Sequence, residues 1–305
     1  MSARSPYVRV SSVLKRERIV PPEPPALCVL ASGSSGNCSV LLTGPARAPR
    51  ATLIDAGLSP RRVAALLAER GLGMHQVDAI VLTHLDRDHW HPAWTKKVRD
   101  LAAPVFVHAS HLGRATREGV LPRRTEKFVH EVAPVAGVRA TAMMMSHDDL
   151  GVAAFRFELE GDAGTLGFAT DVGRVTGDLI DHLAGVDTLA IESNYCPDMQ
   201  RASDRPEFLK RRIMGGAGHL SNHECADAVA RIAPREHVVF LHLSRQCNRP
   251  ELVGAMHAGA DYAWTITSQH EATRWIPLRA GTPREPGVIR TSIPAPPEPS
   301  QLALF

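Results

Sequence analysis

Short apolar runs that stop abruptly at ionisable residues recur along this chain, and one such junction restricts the possible folds more than any other feature. Residues 78–82 read DAIVL and run straight into THLDRDHWH at 83–91. The first stretch is short, β-branched and bounded by polar residues, which predicts a buried strand. The second holds three histidines and two aspartates in nine positions. An α/β protein builds its site just beyond the carboxyl ends of such strands. The junction therefore predicts a layered α/β fold with chemistry along one rim.

The surrounding pattern agrees. Strands are expected at ALCVLA (26–31) and CSVLLTG (38–44), joined by SGSSGN, and at ATLID (51–55), which ends in Asp55-Ala-Gly. A helix follows with Ser59 as N-cap, Pro60 in its first turn and Gly71 closing it. PVFVH (104–108), VAAFRFEL, TLGFAT, DTLAIES and HVVFLHL (237–243) are further strands, with DYAWTIT and ATRWIPL closing the domain. Helices are expected at TGDLIDHLAG and from Ser221, where Ser221-Asn222-His223-Glu224 forms a capping box. Periodicity alone leaves a doubly wound sheet and a two-sheet sandwich both open. Proline-rich PPEPP (21–25) and IPAPPEPS (293–300) read as extended linkers. They divide the chain into an N-terminal extension (1–25), a compact domain (26–280) and a tail (281–305).

Composition excludes more than it selects. No apolar run approaches the roughly 20 residues that cross a bilayer, and the amino terminus lacks the apolar core of a secretory signal. The five cysteines (Cys28, Cys38, Cys196, Cys225 and Cys247) are scattered without any C-x-x-C. That argues for a reducing cytoplasm and against a thiolate zinc site. A net charge of +3 does not by itself demand nucleic acid, so local clusters would have to attract it. Fifteen histidines are the one compositional hint of chemistry.

His84, Asp86, Asp88 and His89 follow the pattern H-x-D-x-D-H, which a tight turn can aim at two neighbouring points. Two ions about 3.5–4 Å apart need roughly this many ligands from one loop, completed from elsewhere. His147, Asp171 and His242 stand at other strand ends or loops and can complete them. Histidine and carboxylate without cysteine suit zinc, iron or manganese. The other histidines, from His75 to His270, read as surface or structural. His91 is the one reservation, since on a helix it would face the same way as Asp88.

In LASGSSGNCSVLL, LIDAGLS, VLTHLDRDH, ATDVGRVT, ESNYCPDM, FLKRRIMGGAGHLSN and HLSRQCN the chain resembles the metallo-β-lactamase superfamily, and within it the YycJ-like (WalJ) branch. These motifs cover most of residues 26–250. The resemblance implies an αββα sandwich of two mixed β-sheets with helices on the outer faces, a dinuclear centre on one edge and 5′-to-3′ DNA exonuclease activity. It implies that His84, Asp86 and His147 hold one ion and that Asp88, His89 and His242 hold the other. Asp171 would bridge them, and Asp55 would brace the loop by hydrogen bonds. The chain departs from the family at Asp86, where histidine is usual, and at Pro92, close to a common glycine. A carboxylate at 86 would bias the site towards manganese or iron, or else weaken one site.

Metal chemistry of this kind serves phosphodiesters, thioesters and lactones alike. Three features favour nucleic acid. In GHLSN (218–222), His219 precedes a capped helix whose N–H groups, with Ser221 or Asn222, can receive a phosphate. His219 can also protonate a leaving oxygen, while Ser221 can equally be no more than a cap. Lys210, Arg211 and Arg212 form a cationic run, and Arg245 and Asn248 lie next to His242; all can contact phosphates. Lastly, the terminal QLALF resembles the peptide by which bacterial repair proteins bind the β sliding clamp. Leu302, Leu304 and Phe305 would fill apolar pockets while Gln301 makes hydrogen bonds. The reading is a two-metal DNA exonuclease of repair, recruited to the clamp. Its rivals are a thioester or lactone hydrolase with a closed apolar pocket, and a non-catalytic clamp-associated DNA-binding module.

Overall fold

A computed structural model of the chain describes residues 23–97, 102–120, 125–147, 149–161 and 163–278. The tail with Gln301, Leu302, Leu304 and Phe305 lies outside these residues, as does most of the N-terminal extension. PPEPP is only partly so: Pro24 and Pro25 are buried. Pro25 accepts the amide of Leu278 at 3.0 Å. The expected linker thus ends two residues early, because its last prolines join the fold.

Two seven-stranded sheets form the centre. The first contains β1 (Ala26–Ala31), β2 (Cys38–Thr43), β3 (Arg50–Ile54), β4 (Val77–Val81), β5 (Val105–His108) and β6 (Thr125–Phe128), with β14 (Ile276–Pro277) on the far side of β1. The second contains β7 (Glu131–Val135), β8 (Val138–Met145), β9 (Val152–Leu159), β10 (Thr165–Ala169), β11 (Thr188–Glu192), β12 (His237–Leu241) and β13 (Ala263–Ile266), in that spatial order. Each sheet is antiparallel in one part and parallel in the other. β3 to β6 run parallel, as do β10 to β13.

Alternation along the strands separates three apolar layers. Leu27, Val29, Leu41 and Ile54 face Phe155, Phe157, Phe168 and Val239 between the sheets. Fully burying each phenylalanine contributes about 1.5–3 kcal/mol. Cys28, Leu30, Val40 and Leu53 point outward to Val63 and Leu67 of α1 (Pro60–Glu69). The outer face of the second sheet packs on α4 (Gly177–Leu183), α7 (Asn222–Ile232) and α8 (Pro250–Met256), through Leu179, Val229 and Val253. Strands covered on both faces read as continuous apolar runs, which is why they were visible in the sequence. The architecture is an αββα sandwich, and the doubly wound alternative is set aside.

Smaller helices decorate the rim: α2 (Trp94–Lys97), α3 (Leu112–Arg117), α5 (Pro197–Ala202) and α6 (Glu207–Met214). Leu209, Ile213 and Met214 of α6 pack with Tyr195 and Cys247. Helix punctuation follows the sequence. Ser59 accepts the Arg62 amide, and Gly71 turns out of α1 at φ +77°. Strands β6 to β8 lie beyond those the sequence pattern predicts. β7 carries Pro134, which a strand tolerates at the sheet edge where β7 lies. The strand expected over 237–243 stops at Leu241, freeing His242 to turn.

Candidate metal centre

Six strands end along one rim between the sheets, and each delivers a polar residue there. Asp55 follows β3, the 83–91 loop follows β4, and His147 follows β8. Asp171 follows β10, Glu192 ends β11, and His242 follows β12. Three of these residues have left-handed backbone, with φ of +61° at Asp55, +52° at Asp171 and +55° at His242. That region costs a non-glycine residue energy, and the rim concentrates it where strands must turn side chains inward. Gly57 has a different reason. A Cβ there would lie 1.7 Å from the carbonyl oxygen of Asp88, so only glycine lets the two loops touch.

Asp55 organises the metal-type loop. Its Oδ1 accepts the Thr83 amide at 2.8 Å, and its Oδ2 accepts Nδ1–H of His89 at 2.7 Å. His147 donates from Nδ1 to the Gly218 carbonyl at 3.0 Å, and Nδ1 of His84 lies 2.9 Å from the Thr83 hydroxyl. Both rings therefore present Nε2 inward. There they meet Oδ2 of Asp86, at 3.7 Å from His84 and 3.9 Å from His147. Oδ1 of the same carboxylate accepts Nη1–H of Arg114 at 2.7 Å. The extra negative charge expected of Asp86 is thus met locally by a guanidinium.

Asp171 stands at the middle. Its Oδ2 is 2.6 Å from Nε2 of His89, and its Oδ1 is 2.5 Å from Nδ1 of His242 and 3.2 Å from Nδ1 of His219. It belongs to two of the three compact donor groups found among the described residues, which are His84–His89–Asp171, His84–Asp86–His147 and Asp171–Glu192–His219–His242. The second ligand set implied by the sequence is looser. Oδ2 of Asp88 lies 3.5 Å from Nε2 of His242 and 3.8 Å from Nε2 of His89. Instead Glu192, to which the sequence pattern assigns no role, joins His242. Its Oε1 accepts from Nδ1 of His219 at 2.7 Å and of His242 at 3.2 Å, and its Oε2 accepts the Val172 and Leu220 amides.

The donor set fits divalent cations. Nε2 of His242 is buried without a hydrogen-bond partner. A buried lone pair left unmatched is costly unless an ion takes it. Asp55 and Glu192 supply further buried negative charge nearby.

Comparison with known proteins decides the family. Residues 50–243 match the family model described as "Beta-lactamase superfamily domain". The chain belongs to this family. Among its relatives, "Exodeoxyribonuclease WalJ" of Streptococcus pneumoniae is 30% identical over 237 residues, 73% of this chain and 83% of that protein. "Exodeoxyribonuclease YycJ" of Bacillus anthracis is 29% identical over 230 residues, 73% of this chain and 84% of that one. The fold is shared with YhfI of Bacillus subtilis (TM-score 0.62, 13% identity, 82% of this chain and all of that one). It is shared too with Zn(2+)-bound PqqB of Methylobacterium extorquens (TM-score 0.61, 18% identity, 81% of this chain and 99% of that one). The chain is a metal-dependent hydrolase of the β-lactamase superfamily.

The electrostatics of this superfamily hydrolase are those of a cation trap. Burial, and next the charge of His89, hold the His84 pKa well below its usual value. Burial also opposes charge on His89, yet Asp55, Asp171 and Asp88 together raise it well above the usual histidine range. Burial would raise Asp171, but His242 and His89 hold it well below the ordinary carboxylate range. His219 is half-buried; desolvation opposes its charge too, but Glu192 and Asp171 lift its pKa to about 9.

A cleft of about 380 Å³ opens over these groups. Its walls include His84, Asp86, Asp88, His147, Asp171 and His242, together with His219 and Arg212. Other expected residues do not reach it. Ser221 is engaged as the cap of α7, with its hydroxyl accepting the Glu224 amide. Asn222 and Asn248 are buried and hydrogen-bond each other at 2.8–2.9 Å. Asn248 also donates to the Ser193 and Asn194 carbonyls, so both asparagines fasten loops rather than line the cleft. Nζ of Lys210 donates to the Arg201 carbonyl, while Arg211 and Arg245 are exposed outside the lining. His91 accepts the Ala93 amide and, among the described residues, joins none of the donor groups. Ser34, Asn194, Arg205, Ser244 and Gln246 also line the cleft, beyond the residues to which the sequence points. Glu192 was findable, because it ends a predicted strand just as Asp171 and His242 follow theirs. Arg205, in SDRPEF, carried no local signal.

Proposed function

We propose that the protein is a two-metal phosphodiesterase that degrades DNA from a 5′ end, acts in repair in the cytoplasm and is recruited to the β sliding clamp by its terminal QLALF. The observation that carries the substrate class is the cleft. It sets two arginines, Arg205 and Arg212, on the wall beside the acidic and imidazole donors. A thioesterase or lactonase pocket would be closed and apolar; among the described residues this one has only Leu209 and Ile213 as large apolar lining. The relatives named exodeoxyribonucleases support DNA as the substrate, and strand polarity and clamp binding rest on sequence resemblance. Five free cysteines accord with a reducing compartment, and among the described residues no helix is long and apolar enough to cross a membrane.

His84, Asp86 and His147 would hold one ion, Asp88, His89 and His242 the other, with Asp171 shared. Zinc, manganese and iron all suit these donors. Such ions, when bound, lower the pKa of water and neutralise phosphoryl oxygens. The remaining work falls to the chain. Asp55 and Glu192 fix which nitrogen each imidazole presents. Arg205 and Arg212 orient the strand by its phosphates. With Nδ1 engaged by Glu192, His219 has Nε2 to offer a proton to the departing oxygen.

Hydrolysis of single strands labelled at the 5′ or 3′ end, with manganese and with zinc, tests the reading. Wild type should release 5′ nucleotides and Asp171→Ala should be inactive; equal activity in the two proteins would remove the proposed centre. Retention on immobilised clamp, lost on deleting residues 293–305, tests the tail.

A further inference from the structure

α6 does more than close one side of the cleft. Arg205 just before it, then Leu209, Arg212 and Ile213, all line the cavity. Their spacing of four, three and one places them on one face of the helix and its lead-in. Phe208 belongs to the same turn but faces out, at 68% exposure the most open of the large apolar side chains among the described residues. It precedes Arg212 by four positions, so the two lie one turn apart on adjoining strips of the helix surface.

The guanidinium of Arg205 is held but not neutralised. Its Nε donates to Oε1 of Gln246 at 3.1 Å, Nη1 to Oε1 of Gln200 at 3.2 Å and Nη2 to the Ser244 hydroxyl at 3.4 Å. All three acceptors are neutral, and among the described residues no carboxylate lies within ion-pair distance of it. Two of the anchors are themselves fixed: Gln200 is fully buried, and Ser244 accepts the Cys247 amide. A cation positioned by neutral groups at a cleft wall keeps its full demand for an anion. An exposed aromatic three residues along the chain from such a cation has the make-up of a single-strand platform, in which phosphates meet the charge and bases stack on the ring.

We propose that Arg205 and Phe208 form a landing site for one nucleotide of a single strand, next to the bond that is cut. Arg205 takes the phosphate neighbouring the scissile one, and Phe208 stacks the base that leads out of the cleft. This rests on the nuclease reading and adds to it. The occupant is a base-bearing polyanion, because an apolar protein partner would not call for the uncompensated arginine. The contact is blind to sequence, since every base offers a π face.

The experiment measures binding of fluorescent oligothymidylate to the metal-loaded protein, with phosphorothioate terminal linkages to prevent cutting. A matched strand carries abasic sugars at its three terminal positions. Stacking by one ring is worth about 1–3 kcal/mol, or roughly 5–150-fold in affinity. Wild type should prefer the strand with bases by at least fivefold. Phe208→Ala should lose that preference while binding the abasic strand as wild type does, and Phe208→Trp should restore it. Arg205→Gln should weaken both strands and lower the slope of log affinity against log salt by about one. If Phe208→Ala weakens both strands equally, or neither, the base platform is wrong. If Arg205→Gln leaves the salt slope unchanged, the phosphate contact is wrong. Failure of wild type to bind either strand would remove the nuclease reading itself, which the mutant patterns alone would not.

Discussion

Replacing Glu192 separates the structural work of a buried carboxylate from its electrostatic work. The side chain is fully buried at the end of β11, and its two oxygens have different tasks. Oε2 accepts the amides of Val172 at 3.0 Å and Leu220 at 3.2 Å. Oε1 faces Nδ1 of His219 and of His242. Glu192→Leu strands both amides, at about 1–3 kcal/mol each, so about 2–6 kcal/mol of stability should be lost. Glu192→Gln can keep its carbonyl on the amides and should cost only about 1 kcal/mol. Its NH₂ group then points at the two Nδ1 atoms, where donor meets donor. To accept, an imidazole must move its proton to Nε2, the nitrogen His242 needs free for an ion. Loss of such an orienting partner typically costs about 10–100-fold in metal affinity. Urea denaturation gives the first quantity, and metal titration of both variants gives the second. A glutamine variant as unstable as the leucine variant would refute the division of labour, and one with wild-type metal affinity would refute the argument from ring nitrogens.

Three further outcomes follow from particular contacts. Burial pushes the His237 pKa down to about 4, so between pH 6.5 and 4 the unfolded chain binds more protons than the folded one. Stability from this group is complete above about pH 6.5 and lost as pH falls towards 4, by up to about 3 kcal/mol; urea titrations at both ends should show a smaller drop in His237→Gln. Gly57→Ala drives a methyl group into the Asp88 carbonyl, and calorimetry should show a destabilisation of about 1–3 kcal/mol or more together with weakened metal binding. Asp86→Ala removes the only carboxylate of the His84–Asp86–His147 group, and elemental analysis should find close to one ion per chain fewer than in wild type.

Much of this protein could be read without coordinates, because local physics repeated itself. Strands buried on both faces wrote themselves as apolar runs, and the ionisable residues after them marked the rim. Ser59, Gly71 and the Ser221–Glu224 box announced helix ends through backbone groups that only nearby residues can satisfy. Tertiary structure decided whatever depends on two distant segments meeting. Only there does Glu192 reach His219 and His242, and Arg114 reach Asp86. Asn222 and Asn248, polar and well placed in the sequence, turn out to be spent on each other and on buried carbonyls. Arg205 gains its meaning from three neutral acceptors, one of them 41 residues away. A side chain's type sets what it can bind, but its charge balance and unspent donors exist only once the fold has chosen its neighbours.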